Sequence, residues 1–431
     1  MRIVHDRIRR LSWAMNRFYG TTNGWLHRRK HSSGESARRL RTGRGRCRIP
    51  DQHATWQLRI KCQFARDVIG RNGCDQDASQ SLRVCRFVVN APEAMKTESS
   101  MFVSKRRWIL KTCGTTTPLQ CLEPLLRLAS EIAGYTEIED LFYSRKNYKR
   151  PELQVSPHRG FEEEVAYLDS FFDDGRAYSL GAINRDCWHL YTLSRGGGGS
   201  GNNFLQKNNN FNHHKQQLMN NNHYNNMNNN FNHLINGNKH NTTNVSLTPS
   251  AHHGLIESLQ LPDPDQTIEI LMTDLDPKVM AVFTKDLCNT AKEATQKSGI
   301  YKLIPGMVID DYLFDPCGYS MNGVSKSCGK KYKEGCYMTI HITPEPDFSY
   351  VSFETNVASA GYGDLIARVI ETFQPGKFIV TVFANKTSLA ANASRELEHL
   401  ANIDQWKRRD IQFARFASYD LTYAQYCKYP S

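Results

Sequence analysis

Residues 196–254 cannot build a packed core, so any fold open to this 431-residue chain must be assembled around them. The stretch opens with GGGGSG, and residues 202–244 contain 19 Asn. Polar chain of such low complexity buries too little apolar surface to offset the entropy of ordering it. Its histidines at 213, 214, 223, 233 and 240 fit a solvated linker better than a metal site. The expected organisation has four parts. Residues 1–95 lead, 96–195 form the first half of a domain, 196–254 are a Gly/Asn-rich disordered insertion, and 255–431 complete the domain.

The net charge of +12 is unevenly placed. Residues 1–95 carry 18 Arg and 2 Lys against 5 Asp and 2 Glu, a net of +13, which leaves −1 for the remainder. Hydrophobic periodicity in this first stretch is weak and broken. It reads as an atypical Arg-rich leader, disordered or partly folded. Without an aromatic or zinc-finger signature, it does not make nucleic acid an expected partner. No run of 18 apolar residues suggests a membrane span. Twelve scattered cysteines without zinc-like pairing, and an N-terminus without an apolar h-region, indicate a cytosolic protein with reduced thiols and no metal.

Texture changes near residue 99. Met101–Lys111 reads as a strand. Pro118 opens a helical pattern in which Leu119, Leu122, Leu126, Ala129 and Ile132 recur at three- and four-residue spacing until Gly134. Tyr178–Leu180, Trp188–Leu193, Ile268–Met272 and Lys377–Phe383 are further strands. Two alternating runs, Met338/Ile340/Ile342 and Phe348/Tyr350/Ser352, look like antiparallel neighbours, and Leu365, Val369 and Phe373 mark a helix. Strands mixed with a few helices, without βαβ alternation, give an α+β class with antiparallel sheets.

Walker A, HExxH and GxSxG motifs are missing, and no GxGxxG stands between a strand and a helix. Other segments stand out: SSMFVSKRRWILKTCGTTT from Ser99, FYSRKN, NRDCWHLYTL, PDQTIEILM, PCGYSMNG and HITPEPDFSYVSFETN. In this order they resemble eukaryotic S-adenosylmethionine decarboxylase, a pyruvoyl-dependent family of polyamine synthesis, over about 98–195 and 255–431. Taken alone, Cys113 would be a small buried thiol and His341 an ordinary strand histidine.

The resemblance implies a four-layer α/β–β/α sandwich, two antiparallel sheets flanked by helices. It implies self-cleavage between Glu98 and Ser99, with Ser99 becoming a covalent pyruvoyl group (pyruvate, with neither pyridoxal phosphate nor metal) that forms a Schiff base with substrate. Cys113 is then the proton donor, and Ser320 and His341 serve processing. Phe314 and Glu345 bind the adenine and ribose of S-adenosylmethionine. Decarboxylated product would supply spermidine and spermine synthesis. Asp265, Thr267, Glu269 and Glu354, with Lys111, Phe142, Phe383 and Tyr419, match a site for putrescine as activator. A purely structural charged network is the other reading of these residues. The family also implies a homodimer. Its usual N-terminal strand, with an aromatic and a Glu for the site, has no counterpart in residues 1–95. That leaves a sheet edge without its partner and keeps open an unprocessed, impaired relative acting as a regulatory subunit.

Overall fold

The structure is a computed structural model. It describes residues 99–104, 107–112, 116–135, 137–194, 262–325 and 335–429, together with the backbone of two strands at 56–63 and 83–86. Glu98, Cys113 and the 196–254 insertion lie outside the described residues. Both flanks of the insertion contribute to one compact unit.

The first flank runs β1 (Trp56–Gln63), β2 (Arg83–Arg86), β3 (Ser100–Val103), β4 (Arg107–Thr112), α1 (Leu122–Ala133), β5 (Glu137–Lys146), α2 (Phe161–Asp169), β6 (Arg176–Gly181) and β7 (Cys187–Ser194). The second runs β8 (Gln266–Leu275), α3 (Pro277–Met280), α4 (Ala291–Ser298), β9 (Val308–Leu313), β10 (Tyr319–Ser325), β11 (Cys336–Thr343), β12 (Tyr350–Thr355), α5 (Gly363–Phe373), β13 (Pro375–Asn385), α6 (Ala393–His399), β14 (Asn402–Ile403), β15 (Trp406–Arg415) and β16 (Tyr419–Lys428). Among the described residues the strands make a seven-stranded sheet, β2-β3-β4-β1-β5-β7-β6, and a nine-stranded sheet, β14-β15-β16-β13-β8-β12-β11-β10-β9. Every pairing described between these strands is antiparallel.

The period-two alternation of strand side chains explains the layering. On β8, Ile268, Ile270 and Met272 pack in one core cluster with Leu365, Ile366, Val369, Ile370 and Phe373 of α5. Leu271, on the opposite face, joins Phe142, Trp188 and Leu190 of the seven-stranded sheet. The nine-stranded sheet is thus covered by helices on one side and by the other sheet on the second. The outer face of the seven-stranded sheet is held by α2, whose buried Glu164 bonds Tyr143 and Arg145 of β5. Four layers result. Each fully buried Leu, Ile or Phe in α5 contributes roughly 1.5–3 kcal/mol, and a charge at Val369 would have no partner among these neighbours. α1 stops where Gly134 takes φ 74°, a left-handed cap that returns its N–H to Ala129 and Ser130 carbonyls.

Three readings of the sequence change. Met101–Lys111 is not one strand but the hairpin β3–β4, closed by the Ser104 N–H on the Arg107 carbonyl at 2.9 Å. The stretch before residue 95 supplies two strands: β1 lies between β4 and β5, and β2 flanks β3. Reduced thiols hold for Cys121, Cys187, Cys288, Cys317 and Cys427, whereas Cys336 is disulfide-bonded. Among the described residues no helix is long and apolar enough to cross a membrane.

Candidate active site

The two sheets meet through polar groups as well as apolar ones. In the nine-stranded sheet one cross-strand row reads Tyr312, Ser320, His341, Ser352 and Leu271. Ser320, His341 and Ser352 are all buried. Facing this row from the other sheet, Ser100 at the start of β3 places its hydroxyl 2.9 Å from His341 Nε2. Ser99 is its immediate neighbour and is 5% exposed. The Ser100 hydroxyl, the His341 imidazole and the Ser320 hydroxyl in register with it are thus gathered in a buried region, with Ser99 next in the chain; hydroxyls and an imidazole are groups that acyl transfer and proton abstraction use.

Phe314 and Glu345 lie just past the ends of β9 and β11, on one side of that row. Leu313, Tyr319 and Ile342 are in register on β9, β10 and β11. Phe314 follows Leu313 directly, and Glu345 is three residues beyond Ile342. The Phe314 N–H donates to the Gly318 carbonyl at 2.8 Å, which closes the loop between β9 and β10. Its ring meets Tyr312 edge to face with centroids 4.7 Å apart. Both Phe314 and Glu345 are buried.

A second cluster adjoins the first. Glu354 lies two residues from Ser352 on the same face of β12 and is in register with Glu269 on β8. Lys111, fully buried on β4, reaches Glu269 Oε1 and Glu354 Oε2, each at 2.9 Å. Burial by itself would lower the lysine pKa. The two carboxylates outweigh it and raise the group above its ordinary value, so it stays charged. Burial raises the Glu269 pKa, and Glu354 adds to the rise against the pull of Lys111. Tyr337 donates to Glu354 Oε1, and Trp188 Nε1 to Glu269 Oε2 at 3.4 Å.

Farther along, Tyr419 donates to Asp265 Oδ2 at 2.8 Å and stands 3.5 Å from Asp140 Oδ2, while Arg107 pairs with Asp265 at 3.0 Å. Phe142 packs edge-on against Phe383 and Tyr419. Thr267, in register with Phe383, has a buried hydroxyl without a hydrogen-bond partner.

All the residues expected at the charged cluster are thus neighbours within it. Sequence reading missed Arg107, Asp140, Trp188 and Tyr337 there, and Ser100 at the first cluster. Only the odd/even parity of Arg107 with Lys111 along β4 could have pointed to Arg107. The others depend on which strands face each other.

A buried acid–base site between two antiparallel sheets, lined with serines, a histidine and a charged network, defines an enzyme of the acyl-shift and proton-transfer type. The sequence profile of the adenosylmethionine decarboxylase family matches residues 95–219 and 202–427. An S-adenosylmethionine decarboxylase proenzyme of Drosophila melanogaster is 51% identical over 332 residues, which is 76% of this chain and 79% of that protein. The proenzyme of Xenopus laevis is 41% identical over 331 residues, 77% of this chain and 78% of its own length. That of Caenorhabditis elegans is 36% identical over 332 residues, 77% and 73%. The chain belongs to the adenosylmethionine decarboxylase family.

Proposed function

We propose that this chain is an S-adenosylmethionine decarboxylase proenzyme that cleaves itself between Glu98 and Ser99. The observation that carries the reading is the 2.9 Å bond from Ser100 to His341. Across a sequence separation of 241 residues it sets the start of β3 against the Ser320–His341 row. Ser99 Oγ adds to the Glu98 carbonyl carbon. The peptide C–N bond breaks, and an ester with a free Ser99 amine replaces it. Ser320, in register with His341, stabilises the oxygen of the cyclic adduct in this reading. His341 then takes the Ser99 α-proton, and the ester C–O bond breaks to release the Glu98 carboxylate. The unsaturated residue left behind loses ammonia to water and ends as a pyruvoyl group.

That carbonyl supplies an electron sink for decarboxylation of an α-amino acid. The chain's own residues do the rest. Phe314 offers an aromatic face to an adenine and to a sulfonium, Glu345 accepts hydrogen bonds from ribose hydroxyls, and Cys113 returns a proton to the α-carbon. Exclusion of water by the two sheets protects the intermediates from side reactions.

The charged cluster is read as a site for a diamine activator such as putrescine. Among the described residues Asp140, Asp265, Glu269 and Glu354 are accompanied by the cations Arg107 and Lys111. Lys111 is shared between Glu269 and Glu354, and the Thr267 hydroxyl remains to be satisfied. These features suit a short dication with an apolar centre against Phe142 and Phe383.

Intact mass and a denaturing gel test the reading. The wild-type chain is expected as pieces of 98 and 333 residues, the larger bearing the pyruvoyl group, and Ser99→Ala as one piece. Release of CO2 from carboxyl-labelled substrate follows cleavage. A single full-length band with no CO2 release refutes the reading and leaves the regulatory-subunit alternative, which is favoured by the failure of residues 1–94 to match the family profile.

A further inference from the structure

We propose that Ser352 is a positioning residue for His341, holding its imidazole through the proton transfers that the Ser99 chemistry requires. This rests on the self-cleavage reading above. Ser352 is fully buried in the middle of β12, and its hydroxyl has no hydrogen-bond partner. It stands directly across from His341 in register, with Ser320 across from His341 on the other side. Directly opposed strand residues bring their Cβ atoms to about 4.5–5.5 Å, within reach of a ring and a hydroxyl.

A buried, unsatisfied hydroxyl costs stability that an alanine in the same place would not. Between Leu271 on β8 and His341 on β11, nothing about sheet packing calls for a polar atom. The uncleaved chain already assigns the Nε2 side of the ring to Ser100. When the ring takes the Ser99 α-proton, both ring nitrogens become donors, and a hydroxyl oxygen with two lone pairs can accept from the imidazolium. No outside reactant is involved. The proton passes from the α-carbon to the ring.

The other titratable groups around the ring have different commitments or positions. Lys111 on β4 is paired with Glu269 on β8 and Glu354 on β12. Tyr337 on β11 donates to Glu354. Tyr312 on β9 lies beyond Ser320, Tyr350 is two residues from Ser352 along β12, and Glu345 is past the end of β11. Ser352 is the hydroxyl in direct cross-strand register on the side away from Ser320.

The test is the titration of His341 by NMR in the full-length, uncleavable Ser99→Ala chain, with the signal identified by its loss in His341→Asn. Ser352→Ala is expected to weaken proton binding by the ring about tenfold to a hundredfold, the loss of one hydrogen bond to a charged group. Ser352→Thr is expected to restore it. In the cleaving chain, Ser352→Ala moves the acid limb of the cleavage-rate profile to lower pH and slows the plateau. Should the alanine variant fail to fold, Ser352→Cys, a weak acceptor of similar size, serves in its place. An unmoved His341 titration overturns the assignment, whatever happens to cleavage. A shifted titration in a chain that never cleaves supports Ser352 and refutes only the function.

Discussion

Replacing Lys111 by methionine isolates the electrostatics of the charged cluster, because it removes the ammonium and keeps most of the stem volume. Lys111 is 0% exposed and sits 2.9 Å from a carboxylate oxygen of both Glu269 and Glu354. Removing one partner of a buried ion pair typically costs about 3–5 kcal/mol, because the remaining charge stays desolvated. Here two acids are left facing each other, and they can escape part of that cost by binding a proton. The pKa of Glu269 is already raised by burial and by Glu354, and without Lys111 it rises further. An acid whose folded pKa exceeds its unfolded value favours the folded state below the unfolded value. It loses that contribution as pH climbs through the folded value.

The penalty should therefore be smallest near pH 5 and reach about 3–5 kcal/mol above neutrality. The lysine's own pKa is raised by the two carboxylates, so its contribution is lost only in strong alkali, outside this window. Urea unfolding followed by tryptophan fluorescence at several pH values, in the Ser99→Ala background, measures the difference. Adding Glu354→Gln to Lys111→Met should recover much of the loss at pH 8. A penalty equal at pH 5 and pH 8, or no recovery in the double variant, would refute the reasoning.

Three further perturbations follow from the same geometry. Glu164→Gln removes the charge that pairs with Arg145 at 2.8 Å in a fully buried setting, and should cost about 3 kcal/mol or more in urea unfolding. Gly181→Ala should lower thermal stability strongly. The glycine has φ +89°, which alone costs an L-residue about 1–2 kcal/mol, and an added Cβ would lie 2.5 Å from the Tyr423 hydroxyl and 2.6 Å from the Asp186 carbonyl. Thr267→Val removes a buried unpaired hydroxyl, so the free protein should be unchanged or more stable by about 1 kcal/mol. If the charged cluster takes a diamine as proposed, the same variant should weaken any stimulation of turnover by putrescine, and an undiminished response would remove Thr267 from the proposed site.

What could be read from the chain was set by how local the cause is. The α5 stripe Leu365–Val369–Phe373 and the Gly134 stop to α1 are written in spacing and in one residue's conformational freedom, and both are seen in the fold. The alternation in β11 and β12 identified them as paired neighbours, but Phe348, read in the same run, lies in a 3-10 turn before β12, and both strands are buried on both faces rather than one. The β3–β4 turn was invisible because SKRR carries no Gly, Pro or Asn–Gly signal. β9, at one edge of the nine-stranded sheet, and β15, next to the short strand at the other edge, have patterns that mix exposed and half-buried positions, so the apolar alternation is weak in them. The partners of the site were the least legible. Arg107–Asp265 and Trp188–Glu269 bring together residues from different sheets, and no spacing along one strand encodes which strand of the other sheet lies opposite.

The same logic explains how a stretch outside the family match can complete the seven-stranded sheet. β4 and β5 are separated by β1, so their backbones are two strand spacings apart, about 9.5 Å. Without a strand there, each would leave unpaired N–H and C=O groups at positions where the described side chains of both neighbours are largely buried. What that place demands first is backbone, and any extended segment can pair on both sides. The second demand is a period of two. WQLRIKCQ alternates apolar with polar residues, and its register sets Leu58 opposite Leu110 and Tyr143, and Arg59 opposite Ile109 and Phe142. The family match begins at residue 95 and takes in the strands that carry the site's described side chains. The place of β1 in the sheet is a requirement for hydrogen bonds and alternation, which many sequences can meet.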